Sequence, residues 1–185
     1  MSVTVTRDRT AAVLAAIREL TSKEVLIGIP AEGADRTPDT DEPNPPNNAV
    51  IGYRLEFGAP EDNLPPRPHL LPAVEEIEGK AVERLRKAGE QALSGEPEEA
   101  EKALHAVGLM GQNAVRARIT NGPFAPLSPV TIKRRRAKGR TGEKPLLDTG
   151  QYRRAQTYVV VPKGKRWVSR SRRRDAEWQR ISDGA

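Results

Sequence analysis

Four of the nine residues from Leu64 to Pro72 are proline. Proline fixes its own backbone angle, lacks the N–H group that a sheet requires and restricts the residue before it. The segment therefore cannot join a regular sheet, and it predicts a stiff, extended connection. The regular elements of this 185-residue chain must lie on either side of it.

Two long helices are predicted after the proline-rich segment. Apolar residues recur every three or four positions from residue 74 to 92 and again from 100 to 115. Gly95-Glu96-Pro97 separates the two runs, with Pro97 suited to a first helical turn, and Asn121-Gly122-Pro123 ends the second helix. Both apolar faces are rich in small residues, which permits close contact between the helices.

The first 60 residues predict shorter elements. A short strand is predicted at residues 3–5, a helix from an Asp8 or Thr10 cap to about Leu20, and a strand at 24–29. Residues 31–48 are rich in Pro, Asp and Asn, which predicts a long flexible loop. A helix is then predicted over 47–57, with an asparagine cap and Gly58 as its stop.

Elements after residue 127 complete an α+β fold. Ser128-Pro129 is typical of a helix start, and Tyr152 to Val161 predicts a strand that Pro162 ends. We expect a small sheet of short strands packed against the two long helices, with long Pro-rich loops and a basic C-terminal tail. The expected division is an α+β domain at 1–162 and a basic, Arg/Trp-rich extension at 163–185.

The composition indicates a thin core and favours association. Apolar residues make up 36% of the chain and aromatic residues 4%, so the core should consist mainly of Ala, Val, Leu and Ile. Small domains with thin cores often gain stability by binding copies of themselves. The chain has no cysteine, which excludes disulfides and thiolate chemistry. No apolar run approaches the roughly 18 residues of a membrane span and no signal-peptide core is evident, so no membrane partner is expected.

Charge is divided unevenly along the chain. Residues 1–127 carry 14 Lys/Arg and 20 Asp/Glu, whereas residues 128–185 carry 17 and 5. The cations cluster at 132–140 and 170–174, and Trp167 and Trp178 flank the second cluster. Such clusters bind either acidic protein surfaces or nucleic-acid phosphates. A small basic nucleic-acid-binding protein acting through the Arg-rich C-terminal region is therefore the alternative to a structural protein.

Residues with catalytic or metal-binding chemistry are sparse. His69 and His105 lie 36 positions apart without cysteine partners, which disfavours a zinc site. The carboxylates of residues 75–83 alternate with cations at helical spacing, as on a solvated face. Asp148-Thr149-Gly150 matches the aspartic-protease signature in three letters only, and a turn is the simpler interpretation. We expect no catalytic residue, no cofactor and no metal.

Four segments occur in an order that resembles a family of phage proteins. They are Leu55–Ala59, Pro65–Ala73, Gly122–Arg134 and Lys144–Arg153. The succession resembles the virion morphogenesis and tail-completion proteins of tailed bacteriophages and Mu-like prophages, over roughly residues 49–161. His69 stands where that family usually has an aromatic residue, Tyr152 replaces its usual leucine, and the tail after Pro162 is not part of the pattern.

The resemblance implies a non-enzymatic ring component of the virion neck, which completes the tail and joins it to the head. The implied partners are further copies of the chain in a hexameric ring, a portal-side connector or head-closure protein, and a tail terminator or tail tube protein. The implied location is the virion, after assembly in the host cytoplasm. Contact with DNA in the ring lumen would involve the DNA backbone without base readout.

Ten residues are expected to carry structural interactions. They are Arg67, Pro68, Phe124, Leu127, Ile132, Lys133, Arg134, Asp148, Thr149 and Arg153. The first two should anchor the proline-rich segment, and the three apolar residues should pack the turn after the second long helix. The Asp–Thr pair should fix the start of the last strand, and the remaining cations should face partners.

Overall fold

The structure, a computed structural model, describes residues 10–30, 33–36, 44–96 and 98–164. Within these ranges it is an α+β protein with six α-helices and one two-stranded antiparallel sheet, as the sequence predicts. The strand predicted at residues 3–5, the position of Pro97 and nearly all of the basic extension lie outside the described residues.

The elements follow one another with short connections over most of the chain. They are α1 (Thr10–Ser22), β1 (Lys23–Gly28), α2 (Asn48–Phe57), α3 (Leu71–Leu93), α4 (Glu98–Asn121), α5 (Pro129–Ala137), α6 (Gln151–Ala155) and β2 (Thr157–Pro162). The two long helices α3 and α4 pack along each other, and α1 packs against both. Buried alanines, including Ala88 and Ala92 on α3 and Ala100 and Ala103 on α4, confirm the small-residue faces.

The sheet lies on α4 because two glycines leave room for it. β1 and β2 pair with Lys23 opposite Pro162 and Gly28 opposite Thr157. A Cβ atom added at Gly108 would lie 2.1 Å from the ring of Tyr158. One added at Gly111 would lie 2.1 Å from Ile27 Cδ1. A larger residue at either position would force Tyr158 or Ile27 to shift from its place against α4.

The core is thin, as its composition predicts. Its buried cluster comprises Ala73, Val115, Ile119 and Leu146, so it joins the first turn of α3, the C-terminal half of α4 and the loop before α6. The buried apolar residues of the described chain are all Ala, Val, Leu or Ile. Half-buried side chains, Phe124 and Tyr152 among them, pack around this cluster.

The predicted helix at 47–57 is confirmed, and its ends have the expected capping groups. The Asn47 side chain accepts a hydrogen bond from the Val50 N–H at 2.9 Å. Gly58 follows the helix with φ 81°, a value that favours glycine. Asn48, which the sequence assigned to the loop 31–48, already belongs to α2, and its N–H donates to the Ala34 carbonyl.

Two boundaries differ from the predictions. Pro72 lies in the first turn of α3 rather than in the extended segment, a position that proline tolerates because that N–H needs no helical partner. The strand predicted from Tyr152 begins only at Thr157, because residues 151–155 form α6. A single helical turn is too short to produce a periodic signal, and the β-rich run that follows it dominated the prediction.

Candidate functional site: a junction of four segments

Glu56 joins α2 to the start of α3. Its two carboxylate oxygens accept hydrogen bonds from the backbone N–H groups of His69, Leu70 and Leu71 at 2.8–2.9 Å. Leu70, at the N-cap position of α3, has no side chain that could accept these bonds. A carboxylate from a helix that lies earlier in the chain therefore caps α3, where negative charge is also favoured by the helix dipole.

Arg67 joins the proline-rich segment to the loop before α5. Its side chain is buried, and its guanidinium donates to the carbonyl oxygens of Ala125 at 3.3 Å and Pro126 at 3.5 Å. Burial and the neighbouring Arg135 both lower the pKa of Arg67 from its ordinary value. The guanidinium is thus used inside the protein, where it ties the proline-rich segment to the loop before α5.

His69 joins the same segment to α6. Its Nδ1 atom lies 2.8 Å from the Arg67 carbonyl oxygen and 3.1 Å from a Glu56 oxygen. The carbonyl oxygen and the carboxylate oxygen are both acceptors, so Nδ1 must carry the proton. Nε2 is then unprotonated and accepts a hydrogen bond from the Tyr152 hydroxyl. The two rings meet edge to face with centroids 5.5 Å apart. We call these contacts of Glu56, Arg67, His69 and Tyr152 the junction.

The junction fixes the charge state of its members. Burial by itself would raise the pKa of the Glu56 carboxyl, but three backbone N–H groups and His69 outweigh it, and the pKa is lowered. Burial lowers the pKa of His69, and the charge of Arg118 lowers it further. The Arg67 carbonyl and Glu56 raise the pKa, but the net shift is downward. Burial also raises the pKa of the Tyr152 phenol. The junction therefore holds an ionised Glu56 beside a neutral His69.

Arg135 organises the loop between α5 and α6. Its Nη1 lies 2.9–3.0 Å from the carbonyl oxygens of Gly142, Lys144 and Leu147, which share its two N–H groups, and its Nη2 donates to the Pro145 carbonyl at 3.3 Å. Its Nε lies 3.5 Å from Oδ1 of Asp148. The other carboxylate oxygen of Asp148, Oδ2, pairs with Nη1 of Arg140 at 2.7 Å. One planar group with five donors thus satisfies most of a loop that has no regular structure.

Two more arginines attach α6 and β2 to α4. Arg153 donates to the Arg116 carbonyl at 3.3 Å and to the Thr120 hydroxyl at 3.0 Å. Arg116 in turn donates to the carbonyl oxygens of Gln156 and Arg154. Arg116 therefore uses Nε and Nη2, and Arg153 uses Nε, for bonds within the protein.

The outer face of α2 is apolar. The residues that the fold buries on α2 are the polar Asn48 and Glu56, whereas Val50, Tyr53 and Phe57 are 48%, 68% and 58% exposed. Their spacing of three and four places them on one side of the helix. The Tyr53 and Phe57 rings touch, with centroids 4.9 Å apart. We call these three residues the aromatic face.

Acidic groups border the aromatic face. Arg54 lies between its members in sequence and forms ion pairs with Asp62 and, at 3.9 Å, with Glu61. The side chains of Glu61 and Asp62 remain 72% and 57% exposed. One cation with two carboxylates leaves this border with a net negative charge.

The outer face of α5 is cationic with an apolar start. Ser128 caps the helix by accepting from the Thr131 N–H at 3.2 Å, as predicted. Val130, Lys133, Arg134 and Ala137 are all exposed and recur at helical spacing. No hydrogen bond or ion pair engages the Lys133 or Arg134 side chain within the part of the chain that the structure describes. We call these four residues the basic face.

The remaining predicted residues support local packing. Phe124, Leu127 and Ile132 are half-buried around the turn after α4, and Phe124 packs against the core cluster. The Pro68 carbonyl accepts from Arg118 at 3.4 Å. Asp148 and Thr149 precede α6 and not the last strand, so the prediction that they fix the start of that strand is wrong. Thr149 instead accepts a hydrogen bond from the Gln151 N–H at 3.3 Å.

Sequence reasoning missed Glu56 and Arg135 and underrated His69. The role of Glu56 could have been anticipated from the proline-rich segment, which contains no Ser, Thr, Asp or Asn that could cap α3. A helix without a local cap needs an acceptor from elsewhere in the chain. Glu56, the only acidic residue of α2, was the matching acceptor. Arg135 was hidden among like neighbours, because composition does not reveal which arginine of a cluster points inward.

Metal and membrane features are limited in the described residues. No group of three or more His, Cys, Asp or Glu side chains lies close enough to hold a metal ion in those ranges. Among the described helices, none combines the length and apolar character needed to cross a bilayer.

Comparison of the chain with protein-family models, curated proteins and solved structures gives no match.

Proposed function

We propose that the chain is a structural protein of the neck of a tailed-phage virion, a ring component that completes the tail and joins it to the head. The observation that carries the proposal is the convergence of the four segments on which the family resemblance rests. Glu56 bonds the first segment to the second, Arg67 bonds the second to the third, and His69 bonds the second to the fourth. The segments that carry the resemblance are thus bonded to one another, although the bond to the fourth segment joins His69 and Tyr152, the two positions that depart from the family pattern.

The use of charge in the junction favours a scaffold over an enzyme. In the junction, Glu56 and Arg67 direct their charged groups at backbone N–H or carbonyl groups, and Arg135 does the same in the loop before α6. Such bonds stabilise one geometry and use these three charged groups within the protein. Exposed apolar and cationic groups lie instead on the outer helices, where a subunit would meet its neighbours.

The proposed assembly is a homo-oligomeric ring, of six subunits by the family resemblance. One side would bind a portal-side connector or head-closure protein, and the other a tail terminator or tail tube protein. The protein would occupy the neck of the virion after assembly in the host cytoplasm. Complementary charge would orient subunits more than it would add affinity.

The alternative, a small nucleic-acid-binding protein, is favoured by one observation. Lys133 and Arg134 are exposed on α5 without partners in the described part of the chain, and they add to the cations of the basic C-terminal extension. However, Arg135 and Arg153 of the basic half bond to backbone carbonyl groups, as does Arg116 on α4. Fewer cations are therefore available to DNA phosphates than the net charge of +6 indicates.

Electron microscopy of lysates tests the proposed function. The reading frame is deleted from the genome that carries it, and the chain is supplied from a plasmid as the wild type or as the double variant Phe124→Asp/Leu127→Asp. We expect separate heads and tails without the chain and with the double variant, and joined virions with the wild type. The control Lys80→Glu/Arg84→Glu, two exposed positions on α3, should restore joining. Normal virions in the deletion strain would refute the proposal.

A further inference from the structure

We infer that the aromatic face of one subunit binds the basic face of a second copy of the same chain. The inference rests on the proposed ring, and it identifies the two surfaces that would meet at each subunit boundary. Both faces are open to solvent in a single chain, with Tyr53 68% and Val130 60% exposed. They are separate surfaces, so a contact between them is head-to-tail, the type that closes into a ring when the rotation between neighbours permits it.

The aromatic face has the character of a covered surface. Its three apolar side chains occupy the outside of a helix that also places Leu55 against the core, so α2 has apolar groups on its exposed side as well as its inner side. Tyr53 and Phe57 already contact each other, so binding would immobilise few additional side-chain rotations. Aromatic residues of this kind are enriched at the centres of protein interfaces.

Charge complementarity identifies the basic face as the occupant. Glu61 and Asp62 leave the border of the aromatic face negative, whereas Lys133 and Arg134 give the basic face two cations that the described chain does not neutralise. A cation above a Tyr or Phe ring is itself attracted to the ring. Val130, four residues before Arg134 on the same side of α5, supplies an apolar contact for the rings.

A symmetric contact between two aromatic faces fits less well. It would place Glu61 and Asp62 of one copy close to the same carboxylates of the other, and like charges in contact oppose association. It would also close into a dimer and leave both basic faces unused. In the head-to-tail arrangement, each subunit boundary joins one aromatic face to one basic face, so neither face is left uncovered in a closed ring.

Cysteine cross-linking tests the contact, because the native chain has no cysteine. The variants Tyr53→Cys and Val130→Cys are purified separately and treated with a short bismaleimide, alone and mixed. We expect covalent dimers in the mixture and none in either variant alone. Dimers from Tyr53→Cys alone would reveal a symmetric contact and overturn the inference. A mixture without cross-links, whether the sample is oligomeric or monomeric by light scattering, would also overturn it.

Charge reversal provides a second, independent measurement. Lys133→Glu/Arg134→Glu should weaken self-association at least about tenfold, and Glu61→Lys/Asp62→Lys should do the same. Combining all four changes in one chain should restore much of the loss, whereas Lys80→Glu/Arg84→Glu on α3 should leave association unchanged. Absence of restoration, with circular dichroism showing that the combined variant is folded, would contradict the pairing.

The two proposals can fail separately. If the mixed variants cross-link but the deletion strain makes normal virions, the subunit contact stands and the neck function falls. If the deletion strain releases unjoined heads and tails but cross-linking gives another pattern, the function stands and this contact is wrong.

Discussion

Ionised side chains in the junction bond mainly to backbone atoms of distant segments. Glu56 accepts from N–H groups 13 to 15 residues later, and Arg67 donates to carbonyl groups 58 and 59 residues later. Bonds that involve a charged partner contribute more than neutral ones, and a buried group left without its partner is costly. Single substitutions here should therefore have large effects on stability.

Glu56→Gln should lower the free energy of unfolding by about 3 kcal/mol, since the neutral amide loses the charge and turns an N–H group toward other donors. Denaturant unfolding monitored by circular dichroism measures this loss. The matched control is Glu78→Gln, an exposed carboxylate on α3, which should change stability by no more than about 0.5 kcal/mol. Equal effects of the two substitutions would contradict the capping role of Glu56.

The pH dependence of stability should report on His69. Its pKa in the folded protein lies below its ordinary value of 6.5, so folding favours the neutral ring. The unfolded chain then binds a proton more readily, and the stability contributed by the neutral ring decreases as pH falls below about 6.5 toward the folded pKa. The stability that ionised Glu56 contributes is lost only at lower pH, because the pKa of its carboxyl lies below 4.5.

His69→Gln removes this titrating group, so the stability of the variant should depend less on pH between 7.5 and 5 than that of the wild type. Denaturant unfolding at several pH values in that window measures the difference. His105→Gln, a substitution of the exposed histidine on α4, is the control and should retain the wild-type slope. An unchanged slope in His69→Gln would mean that other groups cause the acid sensitivity.

At the scale of elements, the packing of the sheet on α4 depends on glycine. Gly111→Ala would place a methyl group against Ile27 and should cost about 1–3 kcal/mol through overpacking. Gly79→Ala on α3 is the matched control, because a Cβ there meets nothing within 4 Å. Removal of a flexible glycine from an open helical position should instead raise stability by up to about 1 kcal/mol. Thermal unfolding of both variants would reveal the opposite signs.

The loop before α6 depends on one guanidinium. Arg135→Lys keeps the charge but cannot reach four carbonyl groups at once, so stability should fall by about 2 kcal/mol. Amide hydrogen exchange should accelerate over residues 142–147. Arg134→Lys, one position away and exposed, should leave both measurements unchanged. Protection of the loop in the Arg135→Lys variant would show that other contacts hold it.

Local signals explain which elements the sequence could predict. α3 and α4 are long and periodic, and the caps Asn47 and Ser128 act on neighbouring N–H groups, so each could be predicted from adjacent residues. α6 is a single turn, which carries no periodicity. The junction depends on pairs such as His69 and Tyr152, 83 residues apart, and a single sequence contains no information on such pairing. Its members were therefore predicted one by one or not at all.

At the scale of the whole molecule, Gly164 is the last described residue and a natural point at which to shorten the chain. The Lys163 N–H donates to the Ser22 carbonyl, which extends the pairing beside β1 by one residue. A chain that stops after Gly164 keeps this bond and loses seven Lys/Arg and three Asp/Glu. Truncation there is preferable to truncation at Pro162, because it keeps the bond between Lys163 and Ser22.

The truncated chain should separate the neck function from the nucleic-acid alternative. If the ring contact involves the aromatic and basic faces, light scattering should give the same oligomer mass for the truncated and full-length chains. Fewer cations should weaken binding to duplex DNA and flatten its dependence on salt, because each phosphate contact releases counterions. The full-length chain with Lys133→Glu/Arg134→Glu is the complementary variant, with weakened association and an intact C-terminal region. A truncated chain that no longer associates, while this variant associates normally, would place the subunit contact in the C-terminal region and remove the basis for the α2–α5 boundary.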